Sequence, residues 1–238
     1  MFKQNDFRIE NEDMGMSEIT ELVQRLPYWN DLTADEQAAV AQTAVVRTYR
    51  KNEMIYGQGD LCLGMIYVLR GRIRVYILSE DGREITLFFV SKGESCVISA
   101  ACVISQLRFE TVMAAEEPTE LLIVSAGDFQ ALAEYNLKVR CFLYELATER
   151  FSQVMWVMQE ILFLRFDQRL AKFFVSEFEK TGEREIRMTQ KEIAQQVNSA
   201  REVVARMLRQ FSEDGLVELK RGCILLNDLD GLRRLVSA

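Results

Sequence analysis

The sequence predicts an α+β chain in three parts: an antiparallel β-roll, one long helix, and a small C-terminal domain of helices closed by a hairpin. Three observations predict it. Short apolar stretches punctuated by glycine run from Tyr49 to Ser125. Helical spacing then takes over, with neither proline nor glycine between Asp128 and Thr181. Near the C-terminus a helix, a tight turn and a second amphipathic helix precede a hairpin pattern centred on Gly222. With 238 residues the chain is long enough for two modest domains, each with its own core.

Residues 1–16 are polar and read as a loose arm. From Ser17 to about Val46 helical spacing dominates, and Thr33-Ala34-Asp35-Glu36 is a capping box that opens a short helix. In the roll, assigned to residues 17–125, Arg72-Ile73-Arg74-Val75-Tyr76-Ile77 alternates. Asp81-Gly82 then turns the chain into Glu84-Ile85-Thr86-Leu87-Phe88-Phe89-Val90. Asp-Gly between two such stretches is a strong hairpin signal, and turns recurring about every 8–12 residues fit an antiparallel roll or barrel.

A long helix is expected over 126–164. Leu143, Leu146, Val154, Val157, Ile161 and Leu164 recur at three- and four-residue steps, with Arg150 interrupting the seam. Packing within the monomer is one outcome of this pattern. The length and the a/d-like spacing favour a seam between two copies, and hence a homodimer.

The remaining domain, 165–238, carries the DNA-reading pattern. Thr189-Gln190-Lys191-Glu192 is a second capping box, opening a short helix, and Asn198 tolerates the left-handed conformation that a tight interhelical turn needs. A second helix begins at Ser199-Ala200-Arg201-Glu202 and is stopped by Gly215. On its wheel Ala200, Val204, Met207, Leu208 and Phe211 form an apolar face. Arg201, Glu202, Ala205, Arg206 and Arg209 lie opposite, within an arc of about 140°. A solvated basic face explains the wheel equally well. Three arginines with one acid and a small Ala205 fit entry into a major groove better, because arginine bonds guanine bidentately and glutamate accepts from cytosine. Glu202 has a competing role as capping partner of Ser199. The candidate DNA contacts are Arg201, Glu202, Arg206, Ser199, Thr189, Gln190 and Arg209. The hairpin around Lys220-Arg221-Gly222 adds a basic wing able to touch phosphate.

Composition excludes several functions. The chain has no histidine, which removes Ser-His-Asp and Cys-His catalysis, His-ligated zinc and a His-ligated haem. No catalytic constellation replaces them, so the chain is not read as an enzyme. No apolar run of about 18 residues crosses a bilayer, and no secretory signal opens the chain, so a cytoplasmic protein without a membrane partner is expected. Five cysteines without a C-x-x-C pair suit a reducing compartment. The net charge of −7 is unevenly divided: residues 165–238 hold 14 Lys/Arg against 12 Asp/Glu, leaving 15 against 24 for the rest.

The order of parts resembles the CRP/FNR family of bacterial transcription regulators over nearly the whole length. The resemblance rests on Gly57-Gln58-Gly59-Asp60, Gly71-Arg72-Ile73-Arg74-Val75, Lys92-Gly93-Glu94, and Glu192-Ile193-Ala194 through Arg201-Glu202-Val203-Val204-Ala205-Arg206. It implies a cyclic-nucleotide-binding-like roll, a double-stranded β-helix, ahead of a winged helix-turn-helix. It also implies a homodimer on a palindromic, TGTGA-like operator of double-stranded DNA, read by Arg201, Glu202 and Arg206, with RNA polymerase as a partner.

For the roll, the resemblance places an effector near Gly93, Glu94, Ser95, Cys96, Cys102, Arg108, Arg150 and Val154. Cyclic-nucleotide binders hold the phosphate with an Arg-Ser or Arg-Ala pair. Here that pair reads Phe109-Glu110, with Arg108 one place early, and one residue of slip turns a strand side chain to the other face. Val154-Met155 stands where cyclic-AMP binders carry hydroxyls. Both departures argue against cyclic AMP. An iron–sulfur sensor needs an N-terminal cysteine cluster, and the first cysteine is Cys62. Haem held by Cys96 or Cys102, and thiol redox sensing by the pair, are alternatives to the favoured reading of both as small buried apolar residues. No cofactor is required by the sequence. The expected function is thus a regulator controlled by a small-molecule effector or redox signal; the alternative is a constitutive one.

Overall fold

The structure, a computed structural model, describes residues 16–57, 63–97 and 111–237. It forms two compact units, one within 1–77 and 88–152, the other made of 78–87 and 153–238. Residues 1–15 of the expected arm, and Gln58, Gly59, Asp60, Cys62, Cys102, Arg108, Phe109 and Glu110 of the motifs above, lie outside the described residues, while Met16, read as the end of the arm, opens the first helix.

The first unit opens with α1 (Met16–Val23), a 3-10 turn (Trp29–Asp31) and α2 (Ala34–Thr43). The Thr33 box closes both ways: Glu36 N donates to Thr33 Oγ1 at 3.3 Å, and Thr33 N to Glu36 Oε2 at 2.7 Å. The roll follows as β1 (Val45–Tyr49), β2 (Met54–Tyr56), β3 (Met65–Arg70), β4 (Arg72–Leu78), β5 (Glu84–Ser91), β6 (Ser95–Cys96), β7 (Val112–Ala115) and β8 (Thr119–Val124). Two four-stranded sheets result, in the orders β1-β8-β3-β6 and β2-β7-β4-β5. The antiparallel roll expected from the glycine spacing is therefore present. Gly71 makes the β3–β4 corner at φ +85°, where a Cβ would stand 2.6 Å from the Pro118 carbonyl oxygen, so only glycine fits. The Asp81-Gly82 turn forms as expected, with Gly82 at φ +81° and Ser79 N donating to the Arg83 carbonyl at 2.9 Å.

The expected single helix over 126–164 is two helices, α3 (Ala126–Tyr135) and α4 (Leu137–Phe163). No glycine or proline marks the break. Asn136 makes it: its backbone is extended, and its Oδ1 accepts from the N–H groups of Lys138 and Val139, capping the new helix. A second correction concerns the seam. Leu143 and Leu146 are buried in the first unit's own core with Tyr28, Leu122, Phe129 and Val139, so they face inward rather than toward a partner. Val154, Val157, Ile161 and Leu164 are half-buried. The exposed stripe of α4 is a different set: Leu137, Cys141, Tyr144, Thr148, Phe151, Met155, Met158 and Leu162. Their steps of four and three residues make an unbroken a/d pattern.

The second unit contains α5 (Phe166–Thr181), β9 (Glu185–Ile186), α6 (Gln190–Gln196), α7 (Arg201–Glu213), β10 (Val217–Lys220), β11 (Cys223–Leu226) and α8 (Leu229–Val236). Its core is built by Leu170, Phe174, Ile193, Val204, Leu208, Phe211 and Leu232, among others. The wing is a three-stranded sheet, β10-β11-β9, rather than the two-stranded hairpin read from the sequence. Two residues at Glu185 are too short to leave a periodic signal. Among the described residues no helix is long and apolar enough to cross a membrane.

Candidate nucleic-acid interface

Helix α6 starts where its capping box places it. Glu192 N donates to Thr189 Oγ1 at 3.2 Å, and Thr189 N to Glu192 Oε2 at 2.8 Å. Asn198 sits in the turn at φ +51°, the left-handed conformation its residue type was expected to supply. Helix α7 then runs to Glu213, and Gly215 at φ +73° ends it.

Two faces of α7 are sharply divided. Val204, Leu208 and Phe211 are buried in the unit's core, while Arg201, Glu202, Arg206 and Arg209 are exposed on the other side. The anchoring of one face fixes the direction of the other. The N-cap of α7 is Ala200, which makes no side-chain cap hydrogen bond. The expected box of Ser199 with Glu202 does not form, since Ser199 lies one residue too early. The capping role proposed against Glu202's base contact is thereby removed. Ser199 and Gln190 are half-buried, and Thr189 is exposed with its hydroxyl engaged in the cap.

Beside the helices, Lys220 and Arg221 are exposed at the wing, whose turn is made by Gly222 at φ +82°. Below it the Glu185 carboxyl is held beneath its usual range, first by the Cys223 thiol that donates to it and then by Arg187 at 3.0 Å. Lys220 also lies 3.4 Å from Glu218 of its own strand, so of the two wing cations one has an acid beside it.

The roll positions a second group of predicted residues. Gly93 turns at φ +86°, and the Glu94 carboxylate accepts from Ser91 N at 3.0 Å. Ser95 and Cys96 are buried on β6. Arg150, 3% exposed, donates from Nη2 to the Ser95 carbonyl at 2.9 Å and lies 3.8 Å from Glu94 Oε2. Its guanidinium also sits 5.1 Å from the centre of the Phe88 ring. Structure therefore joins Gly93, Glu94, Ser95 and Arg150 in one place. Cys96 is fully buried, as the apolar reading requires. Phe88 was missed by sequence reasoning, because an aromatic in an apolar strand carries no signal of what stacks on it. Among the described residues no three histidine, cysteine or acidic side chains gather as a metal site.

This arrangement can be compared with known proteins. Residues 168–235 match the model of the Crp-like helix-turn-helix domain, and residues 46–136 that of the cyclic nucleotide-binding domain. A crystal structure of a transcriptional regulator of the crp/fnr family from Eubacterium rectale superposes with a TM-score of 0.83 at 34% identity. The match covers 90% of this chain and 100% of that one.

The chain belongs to the CRP/FNR family of transcription regulators. It is thus a DNA-binding regulator, not an enzyme, with the α+β fold read from its sequence. Other CRP/FNR relatives are more distant. The cAMP-activated global transcriptional regulator CRP of Pasteurella multocida is 24% identical over 72% of this chain and 85% of its own length. The anaerobic regulatory protein of Haemophilus influenzae is 26% identical over 79% of this chain and 75% of its own. The Crp-like helix-turn-helix match spans both α6 and α7.

Proposed function

We propose that the chain binds a palindromic, TGTGA-like operator as a homodimer, with Arg201 and Arg206 reading guanines and Glu202 accepting from cytosine. The observation that carries this reading is the division of α7. Its core face is buried, while Arg201, Glu202, Arg206 and Arg209 are exposed and Glu202 takes no part in a cap. Arginine and glutamate in one groove supply donors and acceptors matched to a G·C-containing half-site. Thr189, Gln190, Ser199 and the wing cations Lys220 and Arg221 contact the flanking phosphates, which fix register rather than sequence. RNA polymerase is the partner of the bound regulator.

Dimerisation is supported by the exposed stripe of α4. Tyr144 is 57% exposed, Phe151 56% and Leu162 69%, more large apolar surface than a monomer normally leaves in water. The 3.5-residue repeat suits a coiled-coil seam, and a parallel pair related by two-fold symmetry sets the half-sites of the operator about one helical turn apart. Cys141, exposed on the same stripe, then faces its own copy. Mild oxidation should trap a covalent dimer, and Cys141→Ser should abolish it; an uncrosslinked wild type that runs as a monomer in solution counts against the seam.

Control by an effector in the roll is supported by the grouping of Glu94, Ser95, Phe88 and Arg150. Cyclic AMP fits this grouping poorly. Glu94 is already engaged by the Ser91 N–H, Arg150 by the Ser95 carbonyl, and Val154 offers no hydroxyl. The same engagement favours a second reading, a constitutive regulator whose roll is filled by its own side chains. Two measurements test base recognition and gating in turn. Arg201→Ala and Arg206→Ala, assayed by gel shift, should each weaken operator binding; unchanged binding in both would falsify the recognition assignment. Tight operator binding by freshly purified, colourless protein without additive favours the constitutive reading over effector gating.

A further inference from the structure

The turn of the helix-turn-helix has a partner outside its own helices. Residues 78–87, the tip of the β4–β5 hairpin, belong to the second unit, and Thr86 lies in this segment. Thr86 is 4% exposed and Asn198 is 9% exposed, unusual burial for two polar residues. Three hydrogen bonds account for it. Thr86 N donates to Asn198 Oδ1 at 2.6 Å, and Asn198 Nδ2 donates to the Thr86 carbonyl at 3.0 Å. Thr86 Oγ1 donates to the Gln195 carbonyl at 2.8 Å.

A carboxamide presents an acceptor and a donor side by side, as a peptide group does. Asn198 uses both on one residue of β5, which among the described strands is the outer one of its sheet, in the spatial order β2-β7-β4-β5. Its backbone is fixed at φ +51°, so the side chain and the turn cannot move independently at low cost. The third bond holds the last turn of α6 through Gln195. The two bonds between Thr86 and Asn198 are buried and the one to Gln195 is half-buried, so releasing either of the first two leaves a polar atom without water.

Asn198 precedes Ser199 and Ala200, the N-cap of α7, and Arg201 follows at once. We propose that Thr86 is a positioning residue for the recognition helix: it grips the turn through Asn198 and Gln195 and thereby sets where Arg201, Glu202 and Arg206 point. The grip favours DNA binding, because Arg201, Glu202, Arg206 and Arg209 are all exposed while it is closed. Bidentate base contacts need their donors fixed in direction, and a turn held by three bonds spends less ordering on binding than a loose one. The proposal rests on α7 being the reader of bases.

The test uses the full-length chain and a duplex selected by the wild type from a random library, with a scrambled duplex of equal length as control. Asn198→Gly keeps the left-handed backbone and removes the amide. Thr86→Val removes only the hydroxyl, and Thr86→Ser restores it. Asn198→Gly should lower affinity for the selected duplex about tenfold, the loss of one displaced bidentate contact. Thr86→Val should lower it in the same direction, Thr86→Ser should match the wild type, and none should change affinity for the scrambled duplex. The ratio of the two affinities is independent of the folded fraction, so a variant that merely unfolds lowers both together. An unchanged ratio in Asn198→Gly and Thr86→Val, or a rise in specific affinity, overturns the proposal. Arg201→Ala is run alongside. If it leaves the ratio unchanged, α7 does not read bases and the proposal falls with that reading; if it lowers the ratio while the other variants do not, the grip alone is refuted.

Discussion

On α7, Arg201, Arg206 and Arg209 stand in solvent on a helix whose opposite face is buried to the last methyl of Val204. On α4, Arg150 is 3% exposed, donates to a carbonyl of β6 and lies over an aromatic ring. The same residue type is kept in two conditions, and the difference separates ligand chemistry from fold chemistry. A solvated guanidinium contributes little to folding and keeps its five donors for an incoming partner. A buried one has already exchanged water for protein, so removing it leaves the carbonyl of Ser95 and the face of Phe88 without their neighbour.

This contrast can be broken by experiment. Arg150→Ala should show the largest effect, a loss of about 3 kcal/mol in the first unit's unfolding free energy by urea titration; the half-exposed Glu94 keeps it at the low end for a broken buried pair. Arg201→Ala and Arg206→Ala should leave unfolding within about 0.5 kcal/mol of the wild type. Each should instead cost about 1–3 kcal/mol of operator affinity by gel shift. If Arg150→Ala unfolds like the wild type, the two regions are not the contrast they look. Thr189→Ala comes next, at about 1 kcal/mol of stability, because its hydroxyl caps α6. Its operator affinity should fall as well, which Arg201→Ala and Thr189→Ala together apportion between cap and contact.

The smallest effect is acidic. Glu36 is held below its ordinary value of about 4.5, chiefly by the backbone N–H of Thr33 that donates to it. A carboxylate depressed in the folded state adds stability above its unfolded value and loses it as pH falls through the folded one. The Glu36→Gln variant, which keeps an acceptor but no charge, should therefore differ from the wild type in thermal midpoint at pH 7 and converge with it well below pH 4.5. Exposure of the pair keeps that difference small.

Local chemistry was legible in the sequence. Two capping boxes, the Asp81-Gly82 hairpin, the left-handed Asn198 and the divided face of α7 each depend on residues within a few positions of one another. What escaped depends on distant ones. The break at Asn136 needs a capping geometry that asparagine adopts in only some contexts, and nothing nearby demanded it. Leu143 and Leu146 fit a seam and a core equally by spacing; only the presence of Tyr28 and Phe129 turns them inward, and the exposed apolar residues of α4 are instead Tyr144, Phe151, Met155, Met158 and Leu162, among others. Arg150 reads as an interruption in a heptad until Phe88 and Ser95 are placed beside it. The pairing of Thr86 with Asn198 spans 112 positions, beyond any periodic signal.

That last pairing has a meaning for solubility. An outer strand offers its unpaired peptide groups to any other chain that can lie alongside, and such edges are where sheets grow between molecules. At Thr86 the amide of a side chain occupies both groups, and a side chain has no further strand to extend. Asn198 is in this sense a stopper at Thr86, where its amide takes the place that a neighbouring strand would need.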